Sequence, residues 1–258
     1  MQTSKDTPRC QFRQTLLNRE LLVGTFQKTP SAMVSEVLGL TELDVVCLDA
    51  EHAPFGRAEL DACLLALRAA GMPSLVRVSS ASAEQIVNAL DCGASGVMVP
   101  HLCSVAVAEK ISRAAQFGRG GRGYAGSTRA AGYGTKKMLD HQEDSAATTT
   151  VIAQIEDPEA LESIDEIAKV EGIHCLFAGR VDLAVALGAE TLNDAAVIEA
   201  VETVCAAGRK QSRPVGMFLA DRAEIPRWQA RGASFFLVAS DHSFMLSGAA
   251  ELHRSARS

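Results

Sequence analysis

The sequence lacks the features that would place the protein on nucleic acid or in a membrane. Its formal net charge is -6 at pH 7, so it has no basic excess of the kind that binds phosphate backbones. No apolar run approaches the roughly 20 residues that cross a bilayer. Its seven cysteines include no CxxC pair, and this odd, scattered set argues against a disulfide framework. The first twenty residues lack the apolar core of a secretory signal. We therefore expect a cytoplasmic protein that binds neither nucleic acid nor membrane.

The chain instead alternates short apolar runs with amphipathic segments of helical length. The runs are rich in Val, Leu, Ile and Phe, which is typical of strands buried on both faces. No G-x-G-x-x-G follows the first run, which argues against a dinucleotide-binding sheet. Eight such runs within 258 residues predict a single (β/α)8 TIM-barrel domain over 1–258. The predicted strands are 21–25, 44–48, 74–78, 96–99, 150–156, 174–178, 214–218 and 235–239.

Two segments depart from this alternation. Residues 1–20 form a charged N-terminal extension or helix, and 116–147 form a long loop with seven glycines. Five basic residues lie in that loop before Leu139. Loops of this length inside compact domains are usually functional or mobile. One interpretation is therefore a lid, or an anion-facing loop, over the barrel mouth. The other is a solvated connection or an oligomer contact.

Polar side chains stand at the ends of several predicted strands, and in a barrel these carboxyl ends share one face. They are Asp49, Glu51, His52, Arg77, His101, Gln154, Glu156 and Asp182. His52 can move a proton near neutral pH, and Asp49, three residues earlier, can orient its ring. The alternative is an ordinary polar turn with a capping aspartate.

Glu156 and Asp182 offer hard oxygen donors on neighbouring strands. Two carboxylates with waters and a substrate oxygen suit Mg²⁺ or Mn²⁺ better than structural zinc. Taken singly, each is also explained as a helix N-cap. Arg77 lies in an apolar strand and must find an anion. That anion is either a substrate oxygen or the partner in a buried ion pair that only braces the barrel.

Together these residues suit chemistry on a 2-keto acid. A chelated divalent ion can polarise the keto-acid oxygens and lower the cost of an adjacent carbanion. Arg77 adds positive charge at the developing oxyanion, and His52 moves the proton. No lysine lies at a predicted strand end, which argues against a Schiff-base aldolase.

Several motifs occur in order along the chain. They are LDAEHAP at 48–54, VRV at 76–78, LDCGA at 90–94, VP at 99–100, RG at 122–123, QIE at 154–156, VEGI at 170–173 and FAGRVDL at 177–183. With these motifs, the chain resembles the HpcH/HpaI family of class II pyruvate aldolases from about residue 23 to about residue 241. The resemblance implies a TIM barrel that acts on pyruvate or another 2-keto acid together with an aldehyde.

The resemblance also implies roles for particular residues. His52, paired with Asp49, would be the acid/base, and Arg77 would stabilise the enolate. Glu156 and Asp182 would bind the divalent ion, which would be Mg²⁺ or Mn²⁺, with Co²⁺ as a further candidate. Gln154 would lie beside the ion. The pyruvate carboxylate would be held by backbone amides around Gly179, Arg180, Val181 and Asp182.

Further implications concern the assembly. Asp91 matches a position that reaches a neighbouring subunit's site. The C-terminal helix would be exchanged between subunits of a homohexamer built as a dimer of trimers. One departure stands out, because Arg180 occupies the place of the family's proline. This cation would either bind a second substrate carboxylate or point to solvent.

The resulting prediction is a metal-dependent lyase of aromatic or sugar-acid catabolism. It would reversibly cleave a 4-hydroxy-2-keto acid to pyruvate and an aldehyde through a pyruvate enolate. An acyl-CoA lyase or an oxaloacetate decarboxylase on the same site is the second possibility, with Arg119, Arg122 and Arg129 as contacts for the nucleotide. A keto-acid or metal-binding protein without turnover is the third.

Overall fold

Eight parallel strands close into a barrel surrounded by helices. A computed structural model describes residues 7–257. Each strand pairs with the next in chain order, and β8 returns to β1. The strands are β1 Leu22–Gln27, β2 Val45–Asp49, β3 Ser74–Arg77, β4 Gly96–Val99, β5 Thr150–Ile155, β6 Cys175–Ala178, β7 Val215–Leu219 and β8 Phe235–Ser240. The predicted (β/α)8 barrel is confirmed, and each predicted strand overlaps an observed one.

Helices connect the strands on the outside of the barrel. They are α1 Pro8–Leu17, α2 Ala32–Gly39, α3 Arg57–Ala69, α4 Ala83–Asp91, α5 Val105–Ala115, α6 Met138–Thr148, α7 Pro158–Glu162, α8 Ile164–Lys169, α9 Arg180–Ala186, α10 Ala195–Lys210, α11 Ile225–Gln229 and α12 Asp241–Ser255. Two short 3-10 turns, Gly132–Gly134 and Arg222–Glu224, complete the elements. No helix among residues 7–257 has the length and apolar content that would let it cross a membrane.

The strands are apolar on both faces because one face packs inside the barrel and the other packs against the surrounding helices. Alternate side chains of a strand point to opposite sides. In β2, Val45 and Cys47 belong to a cluster inside the barrel, whereas Val46 and Leu48 belong to the cluster beneath the helices. The same alternation places Asp49 inside, as the last residue of the strand. The barrel interior is therefore apolar except at its carboxyl end, where the strands finish in polar residues.

The amino-terminal end of the barrel is closed by α1. Phe12 and Leu16 of this helix join the cluster inside the barrel. The ring of Phe12 meets that of Phe235 edge-on, with centroids 6.2 Å apart. The predicted N-terminal extension thus includes a packed helix, while residues 1–6 lie outside the described part of the chain. Helix α1 therefore blocks access to the barrel interior from its amino-terminal end.

The segment 116–147 is not the uninterrupted loop expected from its glycines, because it contains a 3-10 turn and most of α6. It joins the end of α5 to the start of β5, so it lies at the amino-terminal end of the barrel. Arg122 is buried and pairs with Asp91 of α4, and Arg129 pairs with Asp61 of α3 at 2.5 Å. These contacts fix the segment to the outer helices. It is not a lid over this chain's own barrel mouth.

Candidate active site

A buried ion pair between Asp49 and Arg77 stands at the barrel mouth. The two residues end β2 and β3 and are register partners. Arg77 donates from Nε to Asp49 Oδ1 at 3.0 Å and from Nη2 to Oδ2 at 2.8 Å. Burial acts to raise the pKa of Asp49, but the hydrogen bonds and charge of Arg77 outweigh it and lower that pKa. Asp49 is therefore a carboxylate that holds the guanidinium of Arg77 in one orientation.

His52 lies next to this pair, but Asp49 does not contact its ring. Asp49 Oδ1 accepts a hydrogen bond from the backbone N–H of His52 at 3.1 Å, so the aspartate caps the turn. The ring instead lies 3.7 Å from Glu51, measured from Nε2 to Oε2. The expected orienting contact is therefore absent, and Asp49 both caps the turn and holds Arg77. The imidazole of His52 remains half exposed and lines the cavity described below.

Glu51, His101 and Glu156 form a cluster that can hold a metal ion. One possible ligand atom from each of these residues lies within 4.8 Å of the other two. The backbone N–H of His101 donates to Glu156 Oε1 at 2.8 Å, and His101 Nδ1 lies 3.3 Å from the same oxygen. The sequence places Glu51 and His101 at predicted strand ends but does not identify either as a ligand. Their position after strands was the only signal, since spacing along the chain does not show which ends meet.

The two predicted metal ligands, Glu156 and Asp182, lie at the same end of the barrel. Glu156 directly follows β5, and Asp182 lies in the first turn of α9. Burial raises the pKa of Glu156, and the nearby charge of Asp182 adds to this. Between them is Gly179, where a Cβ would come within 2.6 Å of Glu156 Cβ, so glycine permits the close approach. Asp182 is not part of the three-residue cluster, and its role as a ligand stays a prediction.

The donor set of the cluster fits a divalent cation. Glu51 Oε2 and Gln154 Oε1 are buried and make no hydrogen bond with any of residues 7–257, which is costly for polar atoms. The charge of Glu51 Oε2 is partly balanced by Arg77 Nε at 3.4 Å. Burial raises the pKa of Glu51, and the charge of Glu156 adds to this. A cation would offset both the missing hydrogen bonds of these oxygens and the repulsion between the carboxylates of Glu51 and Glu156. Carboxylate and amide oxygens suit Mg²⁺ or Mn²⁺, and an imidazole does not exclude Mn²⁺.

The Asp49–Arg77 pair and the cluster lie beside one cavity of about 470 Å³ at the carboxyl end of the strands. This volume suits a small-molecule substrate. Three phenylalanines give the cavity apolar walls, and the ring of Phe26 lies under the Arg77 guanidinium at 4.6 Å. The lining residues are Phe26, Lys28, His52, Arg77, Gln154, Phe177, Gly179, Arg180, Val181, Asp182, Phe218, Ser240, His242 and Ser243. The site thus combines a fixed cation, a titratable imidazole and a candidate metal centre.

Of the two interpretations of Arg180 made from the sequence, the solvent-facing one is wrong, and binding of a substrate carboxylate stays a prediction. The side chain of Arg180 is only 3% exposed, so it does not point to solvent. Its Nη2 donates to Glu224 Oε2 at 2.9 Å, and its guanidinium lies 5.1 Å from the centre of the Trp228 ring. Trp228 Nε1 donates to the same glutamate oxygen at 3.4 Å. Arg180 is therefore already neutralised, and it ties the first residue of α9 to the elements after β7.

Asp91, predicted to reach a neighbouring subunit's site, lies at the end of α4, away from this chain's own mouth. Its carboxylate pairs with Arg122 of the same chain, and its backbone carbonyl accepts from Ala130 at 3.4 Å. Within one chain, Asp91 thus anchors the segment 116–147. The structure brings the other predicted residues together at the mouth.

Known proteins are similar to this chain over almost its whole length. A curated relative, hydroxypyruvate/pyruvate aldolase of Paraburkholderia phytofirmans, is 32% identical over 96% of this chain and 97% of its own length. The 5-keto-4-deoxy-D-glucarate aldolase of Shigella boydii is 30% identical over 89% of this chain and 90% of its own. A solved HpcH/HpaI aldolase/citrate lyase family protein from Burkholderia cenocepacia superposes with a TM-score of 0.91. It is 31% identical and covers 96% of this chain and 99% of its own.

The sequence model of the HpcH/HpaI aldolase/citrate lyase family matches residues 22–247. The match includes every strand of the barrel and all of the residues at its mouth. The chain therefore belongs to the HpcH/HpaI aldolase/citrate lyase family.

Proposed function

We propose that the protein is a metal-dependent aldolase that reversibly cleaves a 4-hydroxy-2-keto acid to pyruvate and an aldehyde. The observation that carries this proposal is the cluster of Glu51, His101 and Glu156 beside the fixed guanidinium of Arg77. A cation site next to a fixed positive charge is suited to electron density that develops on a keto-acid oxygen. The aldolase names of the relatives support the same reaction class.

Glu156, with Glu51, His101 or Asp182, would hold the divalent ion, and Gln154 would lie beside it. When bound, such an ion polarises the oxygens of a chelated keto acid. Nη1 of Arg77 makes no hydrogen bond within residues 7–257, so it is free to donate to the developing enolate oxygen.

Other parts of the cavity wall would transfer the proton and bind the substrate carboxylate. The imidazole of His52 would move the proton between the hydroxyl of the cleaved carbon and water. Backbone amides of Gly179, Arg180 and Val181 would hold the substrate carboxylate, since the turn into α9 borders the cavity. The phenylalanine walls would exclude bulk water from the enolate.

The test is pyruvate release from a 4-hydroxy-2-oxo acid by protein treated with a chelator. We expect no release until Mg²⁺ or Mn²⁺ is added back, and full recovery afterwards. Pyruvate release that is unchanged by the chelator would contradict the metal-dependent proposal. Deuterium exchange at the pyruvate methyl group, measured without aldehyde, would separate an aldolase from a binder that lacks turnover.

The structure gives little support to the alternative that the protein is an acyl-CoA lyase. That alternative relied on basic residues of the segment 116–147 as contacts for the nucleotide. Arg122 and Arg129 are instead buried and paired with Asp91 and Asp61. Only Arg119 of the three arginines is exposed, and all three belong to the segment at the other end of the barrel. Oxaloacetate decarboxylation needs no such contacts and would be tested by replacing the hydroxy-keto acid with oxaloacetate in the same assay.

Arg180 is expected to act on substrate affinity by positioning the turn into α9. Arg180→Pro should fold, because proline is favoured at the first position of a helix. It removes the link to Glu224 and should raise KM for the keto acid by about tenfold, with kcat changed less, a loss of about 1.4 kcal/mol of binding. Glu224→Gln should act in the same direction. Arg222→Gln, an exposed change in the same 3-10 turn, is the matched control, and an equal effect there would contradict the role.

We further propose that α12 is exchanged with a second copy in a homohexamer. Only Asp241 of this helix is buried, whereas Phe244, Met245, Leu246 and Leu252 are 44%, 57%, 73% and 71% exposed. Apolar side chains so exposed on one helix indicate an interaction surface. Leu246→Glu should therefore shift the molar mass in light scattering toward smaller species. Ser247→Glu adds the same charge to an exposed polar position and should not. A wild-type protein that is monomeric would contradict the assembly.

A further inference from the structure

A second cavity, of about 320 Å³, lies at the opposite end of the barrel from the candidate active site. It lies where β3 and β4 begin, because Ser74 and Ser95 are in its wall. Strands of four residues place it roughly 13 Å or more from the mouth. The first turn of α1 forms one side and residues from the segment 116–147 form another. Nothing in the proposed aldolase chemistry uses this cavity.

The cavity is lined by positive charge without negative charge. Its wall contains Arg9, Arg68, Arg129 and Lys136, and among residues 7–257 no aspartate or glutamate is in it. Two of the four cations are neutralised from outside the wall. Arg129 pairs with Asp61 at 2.5 Å, and Lys136 pairs with Asp144 at 2.8 Å.

Arg9 and Arg68 remain uncompensated. Neither side chain has an ion pair or a hydrogen bond to any other residue in the range 7–257. Burial lowers the pKa of Arg9 to about 10, and the nearby charge of Arg68 adds to this. Arg9 is partly buried and Arg68 is exposed, and their two guanidinium charges repel each other across the cavity. An oxyanion between them would offset this repulsion.

The N-terminus of α1 also favours an anion in this cavity. Thr7 is the N-cap of α1, and Pro8 and Arg9 of its first turn are in the cavity wall. The first turn of this ten-residue helix carries no acidic side chain. Among residues 7–257, no carboxylate in this first turn offsets the positive end of the helix dipole. Glycine at 71, with φ of +76°, leaves open space beside the cavity, since a Cβ there would meet no atom within 4 Å.

We propose that this cavity is a binding site for a small doubly charged oxyanion, such as a phosphate group or a dicarboxylate, held between Arg9 and Arg68. Guanidinium groups bind both kinds of oxyanion through paired hydrogen bonds. Within one chain this cavity is separate from the keto-acid site. A negative result for oxyanion binding would therefore not contradict the proposed aldolase reaction. Because the cavity joins α1 to the segment 116–147, an anion there would stabilise the amino-terminal end of the barrel.

The experiment titrates the full-length protein with inorganic phosphate, and separately with malonate, at constant ionic strength maintained with chloride. Thermal unfolding and calorimetry report binding. We expect saturable stabilisation by at least one of the two oxyanions and none by chloride. Arg9→Gln and Arg68→Gln should each weaken binding by about tenfold or more, the value of one charge-assisted contact. Arg113→Gln, an exposed change on α5 outside the cavity, should leave binding unchanged.

A second measurement keeps the proposal falsifiable if a variant is altered in stability. Without oxyanion, Arg9→Gln and Arg68→Gln should unfold at the same or a higher temperature, because each removes a repulsion. Lower stability in both, together with equal phosphate affinity in all proteins, would overturn the proposal in favour of a structural role. An equal response to chloride would overturn it as well. A response to phosphate but not to malonate would identify a phosphate group as the ligand.

Discussion

Glu156→Gln is expected to lower kcat/KM for aldol cleavage by roughly 10³-fold, about 4 kcal/mol of transition-state stabilisation. One oxygen of Glu156 accepts from the backbone of His101 at 2.8 Å, and the other accepts from Gln154. Glutamine keeps the shape of the side chain but removes the negative charge from the cluster. In the proposed site, the divalent ion would then lose its most buried carboxylate. Pyruvate release should be measured over a range of Mg²⁺ and Mn²⁺ concentrations.

Thermal unfolding provides an independent readout of the same substitution. Burial and the charge of Asp182 raise the pKa of Glu156, so its ionised form is costly when no cation is present. Without added ion, Glu156→Gln should therefore unfold at the same or a higher temperature than the wild type. Stabilisation by Mn²⁺ should disappear in the variant.

Glu159→Gln is the matched control for this prediction. It removes the same charge three residues along, at an exposed position of α7. We expect wild-type activity and wild-type stabilisation by Mn²⁺. A Glu156→Gln protein that keeps activity within tenfold and still responds to the ion would show that the cation is held elsewhere.

Arg77→Lys is expected to lower kcat by about 10²-fold or more, the typical cost of removing one donor to a developing oxyanion. Arg77 makes two hydrogen bonds to Asp49 and still presents a free nitrogen to the cavity. Lysine is a compact point charge without the planar fork of arginine, so it cannot pair with both oxygens of Asp49 and also present a donor to the substrate in the same geometry. Asp49 is completely buried and would lose the paired hydrogen bonds of the guanidinium, leaving Oδ2 with Lys28 Nζ at 3.4 Å. This loss should cost about 1–3 kcal/mol of unfolding free energy.

Two measurements separate the catalytic and structural effects of this change. Deuterium exchange at the pyruvate methyl group reports enolate formation, and urea unfolding reports stability. Arg254→Lys, which alters an exposed arginine–carboxylate pair on α12, should change neither by a measurable amount. An Arg77→Lys protein that loses stability but keeps exchange within twofold of wild type would identify Arg77 as a brace of the barrel only.

Several features of this protein follow from residue order alone. The eight runs of Val, Leu, Ile and Phe predict strands buried on both faces, and their alternation with amphipathic helices leaves a closed parallel barrel as the natural arrangement. Asp49, Arg77 and Glu156 stand at the ends of such runs, so their location at one mouth also follows from the order of residues. These predictions succeed because strand alternation and helix periodicity are local properties of the chain.

Only the tertiary structure decided which side chains meet at that mouth. Asp49 contacts Arg77 rather than the ring of His52, three residues away. His101, predicted without a role, meets Glu156 from 55 positions earlier in the chain, and Arg180 meets Glu224, 44 positions later. The same holds for the segment 116–147, whose basic residues find carboxylates of α3 and α4 at the other end of the barrel. A local pattern assigns a residue to a face of a strand or helix, but its partner is selected by packing between elements that are distant in sequence.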